Sequence, residues 1–86
     1  PFLEGVVNIV QRVRGEEEPV TVSIRRLGEP VQFEPELLEQ LRAAGVVPGA
    51  QATLAAAGGY VLVRVDGHGD GLELPPEVAT HIYVAA

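Results

Sequence analysis

The chain has no cysteine, no methionine and no lysine. Without cysteine, neither a disulfide nor a thiolate metal site can hold it together. That suits a reducing compartment and leads to an expectation of a cytoplasmic protein. Without lysine, its positive charge rests on six scattered arginines against twelve acidic residues, a net charge of −6. A nucleic-acid surface needs clustered positive charge to displace counterions from phosphates. Direct contact with DNA or RNA is therefore not expected of this chain. Aromatics are few, only Phe2, Phe33, Tyr60 and Tyr83, which leaves little from which to build a groove for proline peptides. No apolar run is long enough to span a bilayer, and nothing resembles a signal peptide. The start at Pro1, with no methionine anywhere, suggests a piece of a longer protein.

What is present is one small domain. Eighty-six residues with 47% hydrophobic content can bury a single modest core. Residues 1–5 read as a tail or the end of a linker, and residues 6–13 (VVNIVQRV), rich in β-branched side chains, as a strand. The run GEEEP at 15–19 is a solvated, self-repelling turn. Residues 19–26 (PVTVSIRR) alternate cleanly, with Val20, Val22 and Ile24 on one face and Thr21, Ser23 and Arg25 on the other. That pattern predicts a half-buried strand, which Gly28 and Pro30 then stop.

Residues 35–44 predict the one substantial helix. Pro35 suits the first helical position, and Glu34 and Glu36 lie at the positive end of the helix dipole. Leu37, Leu38, Leu41 and Ala44 fall on one apolar face, and Gly45 suits the left-handed cap. Pro48-Gly49 is the pair a type II turn takes at its centre. Beyond it, residues 50–56 and 60–66 read as strands around a Gly58-Gly59 turn, and DGHGDG (66–71) is a further turn. Leu72–Leu74 reads as a short strand, residues 75–80 as one helical turn and 81–84 as a closing strand. The expected fold class is mainly β: a small barrel with one inserted helix and a short helical turn before the last strand.

The inventory for catalysis is thin. Ser23 is the only serine, sits mid-strand and lacks a G-x-S-x-G context. A triad of Ser23, His68 and Asp66 has no support in spacing. DGHGDG is neither a G-x-G-x-x-G nor a phosphate loop. Asp66, His68 and Asp70, with Glu77 at the twelfth position, imitate an EF-hand only in part, because Pro75 and Pro76 replace the flanking helix. His81 reads as structural. No catalytic or cofactor-binding residue is assigned, and an enzyme is not expected.

EPVQ, at 29–32, is different. Glu29 offers a carboxylate and Gln32 an amide carbonyl, both hard oxygen donors suited to Mg, Ca, Mn or Fe(II). Residues three apart in a turn can point to one side. Two donors alone make an incomplete site, since such ions take six or more ligands. On spacing alone, ordinary loop polarity and half of a shared site both remain open.

The run from Pro19 to Val84 resembles the C-terminal SH3-like domain of the iron-dependent regulator and diphtheria-toxin-repressor family. The landmarks are Arg26-Leu27 at a strand end, E-x-x-Q at Glu29 and Gln32, AAGVVPGA after the helix, a Gly-rich hairpin, and DGHG before LELP. A-G-V-V-P-G is shared with the wider FeoA-like group; E-x-x-Q is the narrower signal. The resemblance implies residues 19–86 as the SH3-like domain and 1–18 as a linker end with an N-terminal strand. It implies a regulatory domain of a metal-dependent transcriptional repressor, activated by Fe(II) or, in some members, Mn(II). Glu29 and Gln32 would donate to an ancillary metal site whose remaining His and Glu ligands come from other domains. Its partners would be its own N-terminal DNA-binding and dimerisation domains, in a full-length homodimer, with a proline-containing linker as an intramolecular contact. Pro30, between the two donors, stiffens their loop, and residues 1–18 match the family only loosely. The alternative is a stand-alone FeoA-like accessory protein of ferrous-iron transport, with the helix and the AAGVVPG turn as a docking surface.

Overall fold

The computed structural model describes residues 5–86; most of the expected linker end lies outside them. In chain order the elements are β1 (Val6–Asn8), α1 (Ile9–Val13), β2 (Val20–Leu27), α2 (Glu29–Gln32), α3 (Pro35–Ala43), β3 (Gln51–Ala57), β4 (Tyr60–Arg64), β5 (Leu72–Leu74), α4 (Pro76–Ala79) and β6 (Ile82–Ala85). Six strands form one sheet in the order β1-β6-β2-β3-β4-β5, with every pairing antiparallel. This is the mainly β, SH3-like architecture expected from the sequence. Among the described residues no helix is long and apolar enough to cross a membrane.

Residues 6–13 depart from the expected single strand. Three of them pair with β6, and the chain then turns into α1. The cause is a reciprocal cap. The Asn8 side chain accepts the Gln11 backbone N–H at 2.9 Å, and the Gln11 side chain accepts the Asn8 N–H at 3.4 Å. Asn followed three residues later by Gln is a capping box, and it overrides the β-branched composition. The short helix drives Ile9 and Val13 into the core, packed on β3, β4, β6 and α4.

β2 is the central strand and carries the bend that lets one sheet serve two partners. It pairs with β3 through Val20 to Ser23 and with β6 through Ile24 to Leu27. Between Ile24 and Arg26 the register advances two residues against one on β6. Arg25 is therefore a bulge residue, which bends the strand and resets its alternation. Ile24 and Leu27 can both point inward, although they are three apart, and both are buried.

The core is wholly apolar. It includes Ile24, Leu41, Val46, Leu54, Val63, Ile82 and Val84, all fully buried, and among the described residues no buried side chain is polar or charged. Each such side chain contributes about 1.5–3 kcal/mol through burial. α3 lies between β2 and β3 in the chain and supplies Leu41 to this core, while Leu37 and Leu38 are half-buried at its edge. Gly45 ends α3 at φ +78°, as the cap expectation requires. Here a second constraint acts: a Cβ on Gly45 would lie 2.8 Å from Cγ of His68. The 66–71 turn thus rests its histidine on the helix terminus.

Candidate functional site: the Glu29–Gln32 turn

EPVQ is a single helical turn rather than an irregular loop. Gly28 precedes it in extended conformation and Pro30 lies in its first turn, where a missing N–H costs nothing. The N–H groups of Val31 and Gln32 both reach the Gly28 carbonyl at 3.1 Å, and Phe33 N–H reaches Glu29 O at 3.1 Å. Pro30 therefore supports the geometry between the two donors.

The turn is anchored at both ends. Gly28 N–H donates to the His81 carbonyl at 2.7 Å, tying the turn to the chain entering β6. The approach is close, since a Cβ at Gly28 would stand 3.2 Å from both Cβ and O of His81. The atoms involved are the backbone carbonyl and Cβ of His81. Val31, 2% exposed, is the apolar peg on the inner side. At the far end, the Gln32 side-chain amide donates through Nε2 to the Leu27 carbonyl, the last residue of β2.

This last bond decides the chemistry of Gln32. With Nε2 donating to Leu27, Oε1 remains as the amide's acceptor, and among the described residues no hydrogen bond to it is present. The Glu29 carboxylate is exposed, and among the described residues it has no hydrogen-bond or ion-pair partner. On a helical turn, residues i and i+3 share a face. Glu29 and Gln32 therefore present a carboxylate and a carbonyl oxygen from one rigid element. These donors fit a hard divalent cation such as Fe(II), Mn(II) or Mg(II). They fit it only as part of a set, because among the described residues no group of three or more His, Cys, Asp or Glu could hold a metal.

The other constellations are not assembled. His68 Nδ1 lies 3.2 Å from the Asp66 backbone carbonyl, and the Asp66 carboxylate is taken by Arg64 at 2.7 Å. Ser23 sits on β2 opposite Gln51, and no hydrogen bond links it to His68. Glu77 belongs to α4 and joins no acidic cluster with Asp66 and Asp70. One feature beside the site went unread in the sequence. Phe33, the residue after Gln32, is 75% exposed, and only its place between two short helices makes it so.

The barrel and its helical corner define a class: a small SH3-like module with an oxygen-donor turn between its central strand and its inserted helix. The FeoA domain family matches residues 4–86, and the chain belongs to that family. It is 40% identical over 67 residues to the iron-dependent repressor IdeR of Mycobacterium tuberculosis, a match covering 77% of this chain and 29% of the relative. The same protein of Mycobacterium leprae is 37% identical over a stretch of equal length. These similarities agree with the resemblance to the iron-dependent regulator and diphtheria-toxin-repressor family. The chain spans under a third of the length of the curated relatives it matches.

Proposed function

We propose that this domain is the regulatory module of a metal-dependent transcriptional repressor, in which Glu29 and Gln32 supply part of an ancillary metal site. The observation that carries the reading is the Gln32 amide. Its Nε2 donates to the Leu27 carbonyl, which leaves Oε1 as the acceptor of that amide, one helical turn from the exposed carboxylate of Glu29. The similarity to iron-dependent repressors supports the metal class. The DNA-reading and dimerising parts, and the remaining ligands, belong to other domains of the full-length protein. Fe(II) or Mn(II) would supply only charge and coordination at that junction.

The residues of this chain do three things in the scheme. Val31 and the Gly28–His81 bond hold the turn on the barrel. The Leu27–Gln32 bond sets the amide orientation. Glu29 and Gln32 present oxygen donors that the folded domain does not use elsewhere. A cation held jointly by two domains binds their docked arrangement better than the separated one, and that difference in affinity sets how far it shifts the equilibrium. The domain would regulate by being captured, without touching DNA.

The test is operator binding by the full-length protein across an Fe(II) or Mn(II) titration, with Glu29→Ala and Gln32→Ala combined. The variant should need far more metal to reach half-maximal binding. An unchanged metal dependence overturns the reading and returns the FeoA-like transport accessory as the model to test.

A further inference from the structure

At the end of β2 away from the EPVQ turn, the sheet forks around a cleft of about 270 Å³. The fork follows from register. β2 pairs with β6 from Ile24 onward, while Val20 to Ser23 pair with β3. β6 stays with β1, through Ala85 opposite Val6 and the Ala86 N–H on the Gly5 carbonyl at 2.9 Å. The cleft is lined by Thr21 and Ser23 of β2, Gln51 of β3, Arg12 of α1 and the Ala85-Ala86 segment.

Polar groups reach this cleft from three elements. Thr21 and Ser23 are two apart on one strand and share a face, and Ser23 stands directly opposite Gln51. Among the described residues, the side chains of Thr21, Ser23 and Gln51 make no hydrogen bond within the chain. Two hydroxyls and an amide therefore line the same space as a guanidinium, with donors and acceptors to offer. Convergent polar groups in a cleft are the pattern of a small-molecule site. Arg12 already holds one carboxylate, since its Nη1 donates to Glu16 Oε2 at 3.0 Å. That pair is an i,i+4 surface contact, of a kind that contributes little to stability, so another carboxylate can take its place. The planar fork of a guanidinium fits a carboxylate with two parallel bonds.

We propose that this cleft binds a small hydroxycarboxylate, with Arg12 taking the carboxylate, Thr21, Ser23 and Gln51 taking the hydroxyls, and Glu16 acting as a built-in competitor for the guanidinium. A carboxylate suits the cleft better than a phosphate. Arg12 is the one cationic side chain in its lining, and a chain of net charge −6 repels a dianion more than a monoanion. The volume lies below the roughly 300–1,000 Å³ of sites for drug-sized ligands, which matches a compact acid. Glu29 and Gln32 sit past the opposite end of β2. The cleft therefore gives the domain a small-molecule input that stands whether or not those two residues hold a metal.

Amide NMR of the full-length protein in its metal-free form tests this, with sodium glycerate titrated against sodium chloride at equal ionic strength. The Thr21, Ser23 and Gln51 signals should shift and saturate. Arg12→Gln should weaken the affinity at least about tenfold, because the charged, bidentate partner is lost. Arg12→Lys, which keeps the charge and loses the fork, should weaken it at least about threefold. Glu16→Gln should act in the opposite sense and tighten binding about threefold, since the competing surface pair is weak but present. Shifts that rise without saturating, or an affinity unchanged in both Arg12 variants, overturn the site. Glycerol binding as tightly as glycerate overturns the role of the carboxylate, and inorganic phosphate binding as tightly overturns the preference for it. An affinity unchanged or weakened by Glu16→Gln overturns the competitor.

Discussion

The sheet wall formed by β2, β3 and β4 and the corner formed by α2 and α3 spend their residues in opposite ways. On the wall, Val22, Ile24, Leu54, Val61 and Val63 all point inward and are buried, while the backbone is occupied by antiparallel pairing. At the corner, Phe33 is exposed, and among the described residues the exposed carboxylates of Glu29, Glu34 and Glu36 have no ion-pair partner. The wall closes on itself; the corner sends Val31 and Leu41 into the core and leaves its glutamates and Phe33 in solvent. Apolar burial is concentrated on the wall and solvent-facing negative charge at the corner.

Leu54 should show the largest effect. Leu54→Ala in the fully buried centre of β3 leaves a cavity and should cost about 2–5 kcal/mol in urea unfolding. For an 86-residue domain that is a large part of the total stability. A cost near zero would mean that the wall is not the source of stability.

Next comes the joint between the two regions. Gly45→Ala meets a left-handed φ of +78° and the His68 ring together, and should cost about 1–3 kcal/mol. In a His68→Ala background part of that cost should vanish, because the ring is gone while the φ requirement remains. Equal costs in both backgrounds would leave the backbone angle as the whole explanation.

The two candidate ligands should separate from each other. Gln32→Ala loses the bond to Leu27 and should cost about 0.5–1.5 kcal/mol of folding stability. Glu29→Ala removes an exposed carboxylate with no ion-pair partner among the described residues and should stay within about 0.5 kcal/mol of the parent. In metal titrations of the full-length protein, Glu29→Ala should weaken affinity at least about tenfold, since even groups that only orient ligands commonly cost that much. A Glu29 variant that changed stability and left metal affinity intact would reverse the contrast between wall and corner.

Much of this was legible from residue order. Alternation at Val20, Val22 and Ile24, the Gly58-Gly59 turn and the Pro35 start with its Gly45 stop all correspond to observed elements. The misreading at residues 6–13 had a signal in the sequence, Asn8 and Gln11 at capping-box spacing, but β-branched composition masked it. The bulge at Arg25 had none. It arises because β2 must serve β3 with one half and β6 with the other, a demand from strands far along the chain.

The same division runs through the candidate site. The sequence by itself determined which donor types stand at Glu29 and Gln32, that they are three apart, and that Pro30 stiffens the chain between them. Such features are local, because chemistry and spacing travel with the chain. Only the tertiary structure decided that these residues form a helical turn pinned to His81 and Leu27, that the Gln32 amide donates to the end of β2, and that Phe33 stands 75% exposed. Each depends on where β2 ends relative to β6, and no local window contains both strands.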